Sequence, residues 1–589
     1  MSAWLAACAP TATTVPDSPA AAVSSRPSAV TVKLIGINDF HGHLLPPDGL
    51  TEVVEADGSP PVKLSLGGVA YLASEIRALK AANPLNVVVG AGDLISASQL
   101  QSALFNDEPA VDVLNALGLD LSSVGNHEFD KGRDALLRMQ RGGCAPGQVA
   151  GPAASATTCL DGRYPGAKFQ WLAANVIDDA SGRTLLPAYD IKTLPTASGP
   201  VRIAFIGLVL KDAPTLVAPA GIRGLRFTDE ADTVNALVPQ ITAQGVRSIV
   251  VLIHQGGYTQ AGYNDEECST FTGDIVDVVK RLDPAVDAVI SAHTHRTYRC
   301  RLPSRDPAHR ILVTSAGHGG RFVTDIDLTI DPASDEVLDS RARNIPIVND
   351  RAPNPAPDRY PTLVPDAAIA AKAAFYAAKA APVGDTPVAR LKADLLRKVD
   401  AAGETALGYV IADAQLASAR DPAQGGAQLA LMNRDGVRAD LLRRPSDGQV
   451  NFGQIYTAQP FGSDLVTMTL SGAQLIAVLE QQWRMKDGRL IETFLHPSAG
   501  FRYRWSASAP VGARIVPGSV ELEGQPVQPE RIYRVNVNRY LADGGDGFTQ
   551  FLAGTDRVTG VLDRDALIAY LKASEPVDVP KTGRVTRVD

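Results

Sequence analysis

Short apolar runs alternate with amphipathic stretches through the first half of the chain. Val32–Ile37, Asn86–Val89, Val201–Leu210, Ser248–Ile253, Ala288–Ser291 and Arg310–Thr314 are rich in Val, Ile or Leu, and each gives way to polar or glycine-bearing residues. That is the pattern of buried strands with loops at their ends. Between them, Gly68–Ala82, Pro109–Leu117 and Asp229–Gly245 read as helices. The alternation predicts a layered α/β architecture whose functional loops sit at the strand ends.

The texture changes after residue 330. Asp331–Pro365 is rich in Pro, Asp and Arg and reads as a connector. Asp366–Ala381 is Ala-rich and predicts a helix ended by Pro382, a stiff spacer or hinge element between two domains. From Val383 onward the pattern is α+β, with strands near Leu429–Met432, Leu465–Leu470 and Tyr533–Val537. No solenoid-type repeat is present.

A chain of 589 residues exceeds one hydrophobic core, so two or three domains are expected. With 45% hydrophobic and 20% charged residues, the composition is that of a folded globular protein. The net charge of −8 argues against a nucleic-acid polymer as partner, since such binders displace counterions with a basic surface. A small phosphorylated substrate stays open, because bound cations supply positive charge locally. No apolar run reaches the ~20 residues that span a bilayer. Leu5-Ala6-Ala7-Cys8 resembles a bacterial lipobox with Cys8 as the lipidated residue, and the Pro/Thr/Ser/Ala-rich stretch to about Ser28 reads as a disordered tether. Membrane association is therefore expected only through a lipid anchor at Cys8, in a periplasmic or cell-envelope protein. The other cysteines, Cys144, Cys159, Cys268 and Cys300, allow three pairings, of which sequence proximity favours Cys144–Cys159 with Cys268–Cys300. Oligomeric state is not legible.

Five short motifs each follow a predicted strand. They are Asn38-Asp39-Phe40-His41-Gly42-His43, Gly92-Asp93, Gly125-Asn126-His127-Glu128-Phe129-Asp130, His254-Gln255-Gly256-Gly257 and His293-Thr294-His295. Carboxylate, imidazole and amide oxygen together suit two divalent cations such as Zn²⁺ or Mn²⁺. One Asp can bridge two ions, and ions about 4 Å apart can clamp an ester phosphate and acidify a shared water. The D-x-H and H-x-H spacings predict both side chains on one side of an extended segment, by the strand period of two.

The order D-x-H, GD, GNHE, H, H-x-H resembles the calcineurin-like metallophosphoesterase superfamily. NDFHGH and GNHEFD resemble its 5′-nucleotidase branch, which includes UDP-sugar hydrolases and 2′,3′-cyclic-nucleotide phosphodiesterases. The resemblance runs from about Val32 through nearly the whole chain. It implies a β-sandwich-plus-helices metallophosphoesterase domain over residues 31–345, after a leader and tether over 1–30. A linker over 346–384 and a smaller α+β substrate domain over 385–589 complete the chain. It implies Asp39, His41 and His295 as ligands of one metal, Asn126, His254 and His293 as ligands of the second, and Asp93 as the bridge. Ala292 stands where the family often has Gly. His127 matches the family's catalytic histidine, which assists the leaving oxygen, with Asp130 orienting it.

In the second half, Asn433-Arg434-Asp435-Gly436-Val437-Arg438 resembles the family's N-x-G-G-I-R loop, which assigns Asn433 and Arg438 to the substrate. Asp435 replaces a usual glycine, which puts the local backbone in question. Pro460-Phe461-Gly462 resembles the segment whose Phe stacks on the base, and Tyr540–Gly547 the segment giving the opposing aromatic, Tyr540, and a ribose-binding acid, Asp546. An arginine that the family often has before its L-G-N-like helix start is missing ahead of Leu407-Gly408, with Arg397 further upstream. The expected activity is hydrolysis of nucleotide phosphate esters by metal-activated hydroxide. 2′,3′-Cyclic nucleotides, UDP-sugars or a non-catalytic nucleoside-binding lipoprotein stand as alternatives.

Overall fold

The computed structural model describes residues 29–144, 159, 162–268, 270–486 and 489–589. The lipobox-like Cys8 and its tether lie outside the described residues.

Two six-stranded sheets face each other in the first half. One runs Glu336–Pro346, Phe322–Asp331, Val30–Ile37, Asn86–Ala91, Leu121–Ser123, Gln170–Leu172; the other runs Thr297–Pro303, Arg310–Ala316, Ala288–Ser291, Ser248–His254, Val201–Val209, Tyr189–Leu194. Their inner faces close on a core that includes Val32, Leu34, Val89, Phe205, Leu252 and Ile290. Residues on the outer faces, such as Ile35 and Val88 of one sheet and Ile249 and Val251 of the other, pack instead against helices, Val69–Ala82 and Glu108–Leu117 on one side and Glu230–Thr242 and Asp274–Arg281 on the other. Strands buried on both faces explain why the chain reads as continuous apolar runs rather than alternation.

The central strands run parallel: Val30–Ile37 with Asn86–Ala91, that strand with Leu121–Ser123, and Ser248–His254 with Ala288–Ser291. Their carboxyl ends therefore emerge at one edge, where loops from both sheets can converge.

Two expectations need correction. Part of the supposed connector is a strand, Glu336–Pro346, antiparallel to Phe322–Asp331 at the edge of its sheet. Its partly alternating inward positions carry Ser340, Ala342 and Asn344, small or polar residues that leave no hydrophobic signature. The Ala-rich helix spans Ala367–Gly384 and runs through Pro382 into its last turn instead of ending there. Asp366 caps it, accepting from the Ile369 N–H. Nor does it stand free as a spacer. Ile369 and Ala373 are part of the N-terminal core, and Lys372 and Tyr376 both bond to Asp112.

The second half carries a five-stranded sheet ordered Leu495–Pro497, Leu429–Asn433, Ile532–Asn538, Asp464–Ser471, Thr555–Leu562. Helices Ala406–Ala419 and Asp563–Ala573 pack against it. Cys144–Cys159 and Cys268–Cys300 are both disulfide-bonded, the pairing that proximity favours. Among the described residues no helix is long and apolar enough to cross a membrane.

Candidate metal centre and its cleft

The loop after Val30–Ile37 lies along the loop after Asn86–Ala91. The N–H groups of Asp39, His41 and Gly42 donate to the carbonyls of Gly92, Asp93 and Leu94 at 3.0–3.1 Å. This short ladder delivers Asp39, His41 and Asp93 to one point. Asp39, His41 and His295 offer ligand atoms within 4.8 Å of one another, and so do Asp93, His254 and His293.

The period-two account of these spacings does not hold. Asp39, His41, Asp93, His293 and His295 all have positive φ, between 46° and 73°. They sit in left-handed turns rather than extended segments, and the turns, not strand alternation, aim each pair inward. Five of the seven expected ligands thus occupy a backbone region that side-chain-bearing residues rarely adopt, a form of strain that concentrates at functional sites. Glycine is required beside them: a Cβ on Gly125 would meet Asp93 Oδ1 at 2.2 Å.

The donor set fits divalent cations. His41 Nδ1 donates to the Ser96 carbonyl and His254 Nδ1 to the Ala91 carbonyl, both at 2.9 Å. Each ring therefore turns Nε2 toward the centre. There His41 Nε2 lies 3.2 Å from His295 Nε2, and His254 Nε2 lies 3.0 Å from Asp93 Oδ2. Asn126 Oδ1 is buried without a hydrogen-bond partner. Lone pairs that face one another, with an orphaned amide oxygen beside them, are what a shared cation satisfies.

Electrostatics follow the same geometry. Burial pushes Asp39 up to about 7. Burial would raise Asp93 too, but His254 and His127 outweigh it and hold that carboxyl well below its usual range. Burial lowers His293 to about 3 and keeps His41 and His295 well below their ordinary value, so these three are neutral, ligand-ready imidazoles. His254 is the exception: against burial, Asp93 lifts it to about 9.

His127 Nδ1 bonds Asp130 Oδ2 at 2.7 Å, and its backbone N–H donates to Asp93 Oδ1 at 2.9 Å. Burial opposes its charged form, but Asp130 and Asp93 prevail and raise its pKa. Its ring lies beside His41, 5.1 Å between centroids.

Residues that the motifs did not single out also shape the centre. Glu128 is buried and accepts from three backbone N–H groups, those of Asp93 (2.9 Å), Leu94 (2.8 Å) and Gly125 (2.5 Å). It ties the Asp93 loop to the Asn126 loop. Asn38 accepts from the Ala316 N–H and donates to Asp39 Oδ2, fixing that carboxylate's rotation. His318 stacks on His295, 4.6 Å between centroids. Glu128 and Asn38 sit inside the motifs, adjacent to expected site residues. His318 follows the strand Arg310–Ala316, the same strand-end position that marks the others.

The second half meets this centre across a cleft of about 1880 Å³. Phe461 is 41% exposed, and its ring stacks on His127 at 5.9 Å and 13°. Arg438 reaches over Phe461, its guanidinium carbon 6.0 Å from the ring centroid. Asn433 donates to Asp546 Oδ2 at 2.8 Å and is held by Asn538 at 3.0 Å. The Tyr540 hydroxyl donates to Asp546 Oδ1 at 2.7 Å and lies 3.1 Å from the Thr215 carbonyl of the first half. All five expected substrate residues border the one cleft. Asp435 lies in a 3₁₀ turn, Arg434–Gly436, without positive φ, so that position does not need glycine. Arg397 reaches the cleft with its guanidinium on the Val437 and Arg438 carbonyls.

Comparison with known proteins agrees with this architecture. The calcineurin-like phosphoesterase model matches residues 32–297 and the 5′-nucleotidase C-terminal domain model residues 382–553. The chain belongs to the calcineurin-like phosphoesterases that carry a 5′-nucleotidase C-terminal domain, and it is a metal-dependent phosphoric ester hydrolase. The endonuclease YhcR of Bacillus subtilis is 28% identical over 562 residues, covering 94% of this chain but only 41% of that protein. The cell wall protein Lmo0130 of Listeria monocytogenes is 27% identical over 591 residues, 94% of this chain and 69% of its own length. A crystal structure of a 5′-nucleotidase precursor from Thermus thermophilus superposes with a TM-score of 0.73 at 26% identity, over 95% of this chain and 100% of that one.

Proposed function

We propose that the protein is a two-metal hydrolase of nucleotide phosphate esters that works outside the cytoplasm. The observation that carries the reading is the meeting of two three-residue ligand groups with a base-stacking candidate in one cleft: Phe461, from the second half, lies nearly parallel to His127, 5.9 Å between centroids, beside those groups. Asp39, His41 and His295 would hold one ion, Asn126, His254 and His293 the other, with Asp93 between. When bound, the ions neutralise phosphoryl charge and acidify water. The chain's own residues do the rest. Asp130 holds the His127 ring and favours its protonated form, so that a proton stands ready for the leaving oxygen. Arg438 balances charge on the phosphoryl group. Phe461 and Tyr540 give the base apolar faces without demanding one base, and Asp546 and Asn433 offer polar partners to the ribose. Two disulfides and the likeness to a protein named for the cell wall support an envelope location.

The test is phosphate release by metal-loaded protein from AMP, UDP-glucose and 2′,3′-cyclic AMP, wild type beside Asp93→Asn. Release that needs metal and vanishes in the variant is expected, and the ranking of the three substrates names the branch. No release from any of them, with metal bound, sinks the nucleotidase reading.

A further inference from the structure

The three residues of one ligand group, Asp39, His41 and His295, are not held alike. Asp39 is fully enclosed, and its carboxylate accepts from the Asn38 side chain and the His293 N–H. The His41 side chain is 2% exposed, and its Nδ1 is fixed on the Ser96 carbonyl at 2.9 Å. His295 is different. Its side chain is 28% exposed, and its Nδ1 has no hydrogen-bond partner among the described residues. A ligating imidazole is ordinarily turned by a hydrogen bond on the nitrogen that does not face the ion. His295 has no such bond, so another contact has to set the plane of its ring.

That contact is His318. The two rings lie 4.6 Å apart between centroids and 14° from parallel, an offset stack that covers one face of His295. His318 is itself held at both ends. Its ring meets Arg321, whose Nη1 contacts His318 Nε2. A guanidinium only donates, so Nε2 accepts, and its lone pair is taken up there instead of being offered to an ion. Its backbone neighbours are tied to the loop that carries Asp39. The Gly317 carbonyl accepts from the Asn38 side chain at 2.6 Å, and the Gly319 N–H donates to the Asp39 carbonyl at 2.7 Å. Residues 317–321 thus join the Asp39 loop through backbone and the His295 loop through a ring.

We propose that His318 is a positioning residue for His295: its ring, anchored by Arg321, is the plate that sets the orientation of this ligand, in place of the carbonyl that orients His41. The proposal rests on the two-metal reading of the centre. It predicts that a planar ring is what position 318 needs, and that the effect passes through His295 alone.

The experiment is competition for zinc between a chromophoric chelator and the full chain, as wild type, His318→Ala, His318→Phe and His318→Gln, each repeated in a His295→Gln background. Phenylalanine keeps a ring without the acceptor, and glutamine keeps an acceptor without the ring. In His318→Ala and His318→Gln one of the two ions should bind about tenfold more weakly while the other is unchanged, and His318→Phe should recover most of the loss. In the His295→Gln background the same substitutions should change affinity by less than about twofold, because the coupled partner is gone. Unchanged affinity in His318→Ala, equal weakening of both ions, recovery by glutamine and not phenylalanine, or an undiminished loss in the His295→Gln background each overturns the proposal. Should His318→Ala fail to fold, the comparison of His318→Phe with His318→Gln decides. No turnover is needed. Wild type that takes up no zinc refutes the metal centre and the proposal with it, whereas two ions held by wild type with any of the overturning results refutes the role of His318 alone.

Discussion

His254 directs Nε2 at Asp93 Oδ2 from 3.0 Å while Nδ1 gives its hydrogen to the Ala91 carbonyl. The carbonyl fixes which nitrogen faces the carboxylate, and an imidazole nitrogen held against a buried carboxylate marks a place for a cation, a proton or a metal ion. His254→Ala is expected to lower bound metal from two ions to about one per chain by elemental analysis, and His41→Ala to do the same at the other group. Phosphoesterase activity should fall about a hundredfold or more in each. Two ions retained in both variants would refute the assignment.

Glu128 reaches the metal centre through backbone hydrogen bonds. Its carboxylate accepts three N–H groups from the two loops that carry Asp93 and Asn126. A glutamine keeps one acceptor oxygen but turns its amide N–H₂ toward a backbone donor. Glu128→Gln should therefore weaken metal affinity about 10–100-fold in a chelator competition, and lower stability by about 1–3 kcal/mol through the orphaned donors. Metal affinity equal to wild type would leave Glu128 without a positioning role.

His127 and Asp130 separate from the ligands by the same kind of measurement. His127→Ala should cut kcat about 10²–10⁴-fold with both ions still bound, and Asp130→Asn should fall between it and wild type. A large loss of metal in His127→Ala would mean that the histidine serves the cations and not the leaving group.

Asp287 offers a pH signature far from the cleft chemistry. Burial raises its carboxyl from 3.8 to about 7, with the Ile249 N–H as its donor at 2.8 Å. Between these values the folded chain holds a proton that the unfolded chain has released. Stability from this group is thus fully present below about pH 4 and is lost as pH rises toward 7. Asp287→Asn keeps the acceptor oxygen and removes the ionisation. It should melt above wild type at pH 8, and the gap should close as pH falls toward 4. A pH-independent difference would contradict the assignment.

Much of this arrangement was legible from residue order alone. Asp39, Asp93, His254 and His293 each follow an apolar run, and parallel strands buried on both faces bring such run-ends to one edge. What hid was of two kinds. Positive φ at Asp39, His41 and Asp93 goes with the backbone ladder between two loops about fifty residues apart, and at His293 with its N–H on the Asp39 carboxylate, neither of which local spacing encodes. Glu336–Pro346 escaped because its inward positions are Ser340, Ala342 and Asn344, chosen by close packing at a sheet edge and not by hydrophobicity. Arg321 and His318 lay outside every motif, and only the stacking of rings connects them to His295.

The placement of Phe461 over His127 has a consequence for how such a protein can change over generations. On the proposed reading, the groups that would break the bond and those that would hold the base lie on the two halves of the chain, which meet through side chains that include Phe461 and Tyr540. Substitutions in the loops bearing Asn433, Phe461 and Tyr540 can redirect which compound is admitted and leave the strained ligand turns alone. Selectivity is free to drift while reactivity stays under constraint.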